Sequence, residues 1–142
     1  MSSSFQINSN TSTSLKELPH NIEAEQGILG AILLNNEIFY DISDTMAIDH
    51  FYEPIHRTIF DQISIMLSKG QIATPITLKS YFEGEKSLEE IGGANYLVRL
   101  ADSAVSLDYA KNYAQIIYDL SVRRGLYELG GKVQHDAMDI NL

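Results

Sequence analysis

Cysteine and tryptophan are absent from the 142-residue chain, and it contains only three prolines. Without cysteine, a disulfide framework, a zinc ribbon, an iron–sulfur cluster and a cysteine nucleophile are all excluded. The chain also lacks any apolar run near the ~18 residues of a membrane span, and its first residues lack the basic and apolar regions of a secretory signal. We therefore expect a cytoplasmic protein that does not enter a membrane.

Positive charge is scarce as well, because 10 Lys and Arg stand against 19 Asp and Glu and give a formal net charge of −9. Affinity for a nucleic-acid backbone comes from Lys and Arg side chains that neutralise phosphates. The charge balance therefore argues against tight DNA binding by this chain. Hydrophobic residues nonetheless make up 44 % of the sequence, which indicates a folded core rather than wholesale disorder.

Helical periodicity dominates the chain after a polar beginning. Residues 1–17 are rich in Ser, Thr and Asn, so we expect them to form a flexible tail. Apolar residues then recur at spacings of three and four, and no convincing strand pattern follows. The sequence predicts an all-α fold, with a compact globular head of short helices over 18–105 and one long C-terminal helix over 106–142.

Several helix boundaries are marked by residues of suitable chemistry. Asn21 is expected to cap the first helix, and Pro54 to open another. Thr74 and Pro75 repeat this start signal for a helix that continues to Gly84. In the long helix, three glycines each lower stability by ~1 kcal/mol relative to Ala, so we expect a kink or fraying there. They are Gly125, Gly130 and Gly131.

Catalytic, cofactor-binding and metal-binding patterns are all incomplete in the sequence. The nearest approach to a phosphate loop is Gly131-Lys132, but Leu126 and Val133 stand where a glycine and a hydroxyl are needed. The histidines form no pair with the spacing of metal ligands, so surface or structural roles are expected. Carboxylates in predicted first turns, Glu25 among them, are explained by capping and by the helix dipole.

The long helix carries more apolar residues than a small head can cover, which favours a helix–helix contact with a partner. The predicted contact residues are Tyr113, Ile117, Leu120, Arg123 and Arg124. Arg and Tyr are favoured at protein interfaces. The alternative is a solvated helical face with local ion pairs, such as Asp119 with Arg123 four residues later.

A series of motifs in one order extends over most of the chain. The motifs are LPHNIEAEQGILGAIL over 18–33, FYEPIHRTIF over 51–60, IGGANYL over 91–97, YAQII over 113–117, and Arg123. In this order and at these separations they resemble the N-terminal domain of DnaB-type replicative DNA helicases. The chain departs from the family over 74–78, where it has Thr-Pro-Ile-Thr-Leu and the family usually has Asp before Val-Thr-Leu. Thr and Asp both cap helices, and proline is tolerated one position later.

The resemblance implies a helical bundle followed by a helical hairpin, of which these residues supply only the first half. In the family this domain associates with copies of itself into the collar of a hexameric ring. It also helps to recruit primase and, in some lineages, a helicase loader. ATP and Mg²⁺ belong to a separate RecA-like motor domain of the parent, and we expect neither that domain nor its phosphate loop in the 142 residues.

The resemblance therefore implies a fragment without catalytic residues, cofactor or metal of its own, derived from a parent that unwinds DNA using ATP. An alternative is the helicase-binding domain of a primase, or another helical adaptor of the replication machinery. A stand-alone enzyme is disfavoured because the patterns of catalytic residues are incomplete.

Overall fold

The computed structural model describes residues 17–84 and 86–141, with the side chain of Ser87 left out. In this part of the chain the regular elements are helices. The predicted all-α fold is confirmed. The tail predicted over 1–17 lies outside these residues, except for Glu17. The elements are α1 (Ile22–Leu34), α2 (Glu37–Ile42), a 3₁₀ helix (Ile48–His50), α3 (Pro54–Ser68), α4 (Pro75–Lys79), α5 (Lys86–Glu90), α6 (Ala94–Asp102) and α7 (Leu107–Met138). None of the described helices is both long enough and apolar enough to cross a membrane.

Three helices begin where the local chemistry predicts. The Asn21 side chain accepts a hydrogen bond from the backbone N–H of Ala24 at 2.9 Å and caps α1. Pro54 opens α3, where the N–H that proline lacks would have no partner in the helix. Thr74 caps α4 and accepts a hydrogen bond from the N–H of Thr77 at 3.1 Å. These starts determine which side chains each helix turns toward the core.

Helix α1 lies at the centre of the core. Its side chains Ile28, Leu29 and Ile32 are fully buried, and the helix contacts α2, α3, α6 and α7. Burying one such side chain contributes about 1.5–3 kcal/mol. The core continues into α3 with Ile59 and into α6 with Leu97, both of which are also fully buried. The first motif of the sequence is therefore the segment around which the rest of the head packs.

Two glycines allow α1 to approach its neighbours closely. A Cβ atom placed on Gly30 would lie 1.8 Å from the carbonyl oxygen of Leu100 in α6, and one placed on Gly27 would lie 2.7 Å from Cγ1 of Val105. The N–H of Val105 also donates to the carbonyl of Gly27 at 3.2 Å. Because residues three apart share a face of a helix, both glycines turn toward α6 and the segment that leads into α7.

Helix α7 is continuous over 32 residues, so the fraying expected at its glycines is wrong, whereas a kink there stays a prediction. A Cβ placed on Gly125, Gly130 or Gly131 would meet no atom within 4 Å outside the helix's local backbone, among the residues described. Each glycine lowers helix stability by only about 1 kcal/mol relative to Ala. Propagation is cooperative, so the neighbouring turns maintain the helix through these positions.

Two shorter elements also differ from the prediction. Helix α4 ends at Lys79 rather than at Gly84. The chain turns there, with the N–H of Phe82 donating to the carbonyl of Leu78 at 3.2 Å, and this turn buries the Phe82 ring. The 3₁₀ helix was not predicted, because three residues are too few to show a periodic pattern.

Candidate interaction surface on the long helix

The first half of α7 packs one face against the head. Ala110, Ala114 and Ile117 are buried at spacings of four and three. At this face the helix contacts α1, α2 and the 3₁₀ helix. Arg124 is the last buried residue of α7 in the described part of the chain, with 8 % of its surface exposed. The remaining turns therefore extend beyond the core.

The guanidinium of Arg124 joins α7 to two separate segments of the head. Nη1 donates to the carbonyl oxygen of Pro19 and Nη2 to that of His50, both at 2.8 Å. Its Cζ atom lies 5.4 Å from the ring centroid of Tyr52, and that ring stacks on His20 with centroids 4.0 Å apart. Burial lowers the pKa of Arg124 from its ordinary value. The two carbonyls and the ring replace water around the charge, so Arg124 holds α7 in place.

His50 supports the same junction from the 3₁₀ helix. Its Nδ1 accepts a hydrogen bond from the N–H of Ala47 at 2.9 Å, and its ring meets the ring of Tyr118 edge-on with centroids 5.1 Å apart. Burial is the largest cause of a pKa lowered from 6.5, and the charge of Arg124 acts in the same direction while that of Asp49 opposes it. A proton on Nδ1 would also remove the acceptor for Ala47, so the folded chain favours the neutral ring.

A buried polar network is connected to this junction through Tyr52. The carboxylate of Glu25, which is 1 % exposed, accepts hydrogen bonds from the N–H groups of Tyr52 at 2.7 Å and Glu53 at 3.3 Å. Nδ1 of His56 lies 2.7 Å from the same carboxylate, and Nε2 lies 2.6 Å from the Tyr96 hydroxyl. Burial raises the pKa of Tyr96. Interpreting Glu25 only as a dipole-compensating residue is therefore wrong, because it links α1 to the start of α3.

Glu25, His56 and Tyr96 are residue types that form acid–base relays in enzymes. Here their side chains are hydrogen-bonded to one another and stabilise the core. His56 is fully buried, and the Tyr96 hydroxyl also accepts a hydrogen bond from Gln26 at 3.2 Å. A catalytic group has to reach a substrate atom, and these groups are occupied by one another. The structural role expected for the histidines is thus confirmed for His56.

Other chemical candidates of the sequence fall on the exposed half of α7. Gly131 and Lys132 lie within the continuous helix rather than in a loop after a strand. The Nζ of Lys132 pairs with Oδ2 of Asp136 at 2.9 Å. Within residues 17–84 and 86–141, no three His, Asp or Glu side chains come together as a potential metal site.

The five predicted contact residues do not share one exposed face. Ile117 and Arg124 are buried against the head, Tyr113 and Leu120 are partly buried, and Arg123 is exposed. The exposed placement of Ile117 and Arg124 is therefore wrong. These two residues are seven apart on the same side of α7 as Ala114, which packs on the head. A partner contact through any of the five residues stays a prediction.

A different row of apolar side chains on α7 is exposed. We call it the outer stripe; its members are Val122 (42 % exposed), Leu126 (62 %), Leu129 (56 %) and Val133 (59 %). They follow spacings of four, three and four, which is the spacing of a seam between two packed helices. At about 100° per residue, Val122 lies about 140° around the helix from Ile117. The outer stripe therefore points away from the head and is the candidate interaction surface.

These observations define the class of protein: a small all-α domain whose buried polar groups hold helices together and whose long helix carries an exposed apolar stripe. Among protein families, the model described as DnaB-like helicase N terminal domain matches residues 17–119. The chain belongs to this family of N-terminal domains of DnaB-like helicases, and the resemblance noted from the sequence is confirmed.

Individual relatives agree with this membership. Replicative DNA helicase DnaB of Rickettsia felis is 42 % identical over 125 residues, which are 88 % of this chain and 25 % of that protein. The same helicase of Rickettsia prowazekii is 39 % identical over 137 residues, which are 96 % of this chain and 28 % of that protein. The chain thus spans about a quarter of the length of these curated relatives.

A solved structure supports the same fold. The crystal structure of the N-terminal domain of DnaB helicase from Mycobacterium tuberculosis superposes with a TM-score of 0.79 at 28 % sequence identity. The match covers 88 % of this chain and 91 % of that one. The alternative expected from the sequence, a helicase-binding domain of a primase, is not favoured by these relatives, which are replicative helicases.

Proposed function

We propose that this chain is an interaction domain at the N-terminus of a replicative DNA helicase, and that it associates with copies of itself into the collar of a hexameric ring. The outer stripe is the observation that carries this proposal. Its four side chains are exposed on a helix that Arg124, near its middle, fixes to the head. Covering such a stripe with a second helix stabilises an assembly by about 1.5–3 kcal/mol for each fully buried side chain.

We further propose that the domain docks primase, and in some settings a helicase loader, while a separate motor domain of the longer protein binds ATP and Mg²⁺ and unwinds DNA. Two observations support this division of roles. The chain covers only a quarter of relatives named replicative DNA helicase, and its net charge of −9 does not suit a phosphate-binding surface. The expected cytoplasmic location stays a prediction.

Self-association through the outer stripe can be tested with one matched pair of variants. Leu126→Ser removes an apolar side chain from the stripe, whereas Tyr127→Ser alters a neighbour that is 52 % exposed and lies about 100° away around the helix. We expect Leu126→Ser to weaken self-association by about tenfold or more in sedimentation equilibrium, as removal of a central interface residue does. Tyr127→Ser should leave the association constant near that of the unmodified chain.

A chain that stays monomeric at every concentration, or equal losses in the two variants, would contradict the assignment of the outer stripe. Circular dichroism of both variants checks that the head remains folded.

The other two parts of the proposal need separate measurements. Labelled chain titrated with purified primase should show a saturable rise in fluorescence anisotropy, and a flat titration would remove primase from the proposal. The chain alone should release no phosphate from ATP, and turnover that persists through repeated purification would contradict the absence of ATPase activity.

A further inference from the structure

The attachment of α7 to the head depends on a very short element, the 3₁₀ helix. This helix ends at His50 and contacts both α3 and α7. The carbonyl oxygen of His50 accepts the hydrogen bond from Nη2 of Arg124 at 2.8 Å. A movement of the His50 backbone would therefore remove one of the two carbonyls that hold the guanidinium.

Three hydrogen bonds keep the 3₁₀ helix in shape. The N–H of His50 donates to the carbonyl of Ala47 at 3.0 Å, and the N–H of Phe51 donates to that of Ile48 at 3.3 Å. The His50 ring adds the third bond, because its Nδ1 accepts from the N–H of Ala47 at 2.9 Å at the start of the helix. A helix of three residues has no neighbouring turns to maintain it. The ring therefore helps to fix the position of the His50 carbonyl.

The His50 ring can accept this hydrogen bond only when Nδ1 carries no proton. Protonation of the imidazole makes both ring nitrogens donors, so Nδ1 would then face the N–H of Ala47 donor to donor. The ring also lies edge-on to Tyr118 of α7, with centroids 5.1 Å apart, which limits its contact with water on that side. Acid therefore favours a conformation in which the ring has left this position.

The surroundings of His50 act on its charge in both directions. Burial is the largest effect and lowers the pKa of His50, while the neighbouring carboxylate of Asp49 raises it and Arg124 of α7 lowers it. From α3, Arg57 brings a permanent positive charge close to the 3₁₀ helix, since its Nε donates to the carbonyl of Phe51 at 2.7 Å. The folded chain thus binds this proton less readily than a conformation in which the ring is free.

We propose that protonation of His50 releases the C-terminal half of α7 from the head. The proton stabilises a conformation in which the 3₁₀ helix has lost the bond to its ring, the carbonyl of His50 has moved away, and Arg124 keeps only the carbonyl of Pro19. Helix α7 stays helical, but its second half changes direction relative to the head. The release takes place within one chain and does not depend on the proposed self-association.

A pair of spin labels measures the release. The chain has no cysteine, so Thr58→Cys on α3 and Gln134→Cys on α7 provide two unique and exposed attachment points. Labelled chain is diluted in unlabelled chain, so that double electron–electron resonance reports distances within one molecule. We expect one distance at neutral pH and a second that gains population below pH 6.5. The ratio of released to attached chains should rise by up to about tenfold per pH unit until the folded pKa is passed.

Two histidine variants of the labelled chain decide whether His50 is the group responsible. His50→Asn keeps a side-chain acceptor for the N–H of Ala47 but does not titrate in this range, so the second distance should not grow in acid. His135→Asn is the matched control, because His135 is an exposed histidine on α7, and it should respond as the unmodified chain does.

A single distance at every pH, the same response in His50→Asn as in the unmodified chain, or an equal loss of response in the two variants would overturn the proposal. Far-UV circular dichroism in the same buffers should stay constant. A loss of helix in parallel with the second distance would indicate unfolding of the head and would overturn the proposal as well.

Discussion

Replacing Gly30 by alanine tests whether the closeness of α1 and α6 holds the head together. The added Cβ would lie 1.8 Å from the carbonyl oxygen of Leu100 and 2.8 Å from its carbonyl carbon. Both are backbone atoms, so no side-chain rotation can relieve the overlap. The two helices must separate by roughly 1 Å, because overpacked cores respond through backbone shifts when rotamers cannot change.

The expected loss follows from two opposing effects. Overpacking of a core costs about 1–3 kcal/mol, and a backbone overlap belongs at the upper end of that range. The higher helix propensity of alanine offsets this loss of stability by up to about 1 kcal/mol. We therefore expect Gly30→Ala to lower the free energy of unfolding by about 2–3 kcal/mol, a fall in Tm of about 10 °C for a domain of this size.

Urea and thermal unfolding followed by circular dichroism measure this difference directly. Gly27→Ala should cost less, because its close neighbour is the end of the Val105 side chain, which can move. Gly125→Ala is the control, since nothing lies within 4 Å of its added Cβ and it should stabilise by up to ~1 kcal/mol. Equal stability of Gly30→Ala and the unmodified chain would refute the reasoning, as would a larger loss for Gly125→Ala than for Gly30→Ala.

Three further predictions concern the junction between α7 and the head and the buried network that is connected to it. Arg124→Met should lower the free energy of unfolding in urea by about 2–3 kcal/mol, because it leaves two carbonyls without donors, whereas Arg123→Met should change it by less than ~0.5 kcal/mol. Glu25→Gln should lower the free energy of unfolding by about 3 kcal/mol, because it removes a buried charge from its partners. Glu23→Gln on the same turn should lower it by about 0.5 kcal/mol, and equal losses in the two variants would contradict the stabilising role of the buried network. The lowered pKa of His50 predicts a stabilising contribution that is complete above pH 6.5 and is lost as the pH falls from 6.5 through the folded value. Urea midpoints measured from neutral to acidic pH should therefore fall more for the unmodified chain than for His50→Asn, and parallel profiles would exclude this role.

Local chemistry was enough to predict the framework of the head. Asn21 and Thr74 cap helices through contacts within three residues, and Pro54 acts through its own missing N–H. Such effects depend on residues that are adjacent in the sequence, so they can be predicted without knowing the tertiary fold. The continuous α7 shows the limit of this reasoning at Gly125, because the cooperativity of a long helix outweighs the propensity of a single residue.

Long-range partners explain what the sequence did not predict. Glu25 finds its hydrogen-bond donors 27 and 28 residues later, and Arg124 finds its acceptors 105 and 74 residues earlier. Apolar residues occur on several sides of α7, so periodicity alone does not distinguish Ile117, which faces the head, from Leu126, which faces away. The small residues Ala110 and Ala114 could have identified the face of α7 that packs on the head, because small side chains allow helices to pack closely.

Arg124 lies near the middle of α7 and is the pivot for the second half of the helix, which extends beyond the core. From Arg124 to Met138 the helix extends about 21 Å at 1.5 Å per residue, so a tilt of about 10° at the pivot moves the tip by about 4 Å. The carbonyls of Pro19 and His50 that hold the guanidinium therefore set the direction in which the far end points. A slight rearrangement at Pro19 or in the 3₁₀ helix is therefore magnified toward the C-terminal end of α7.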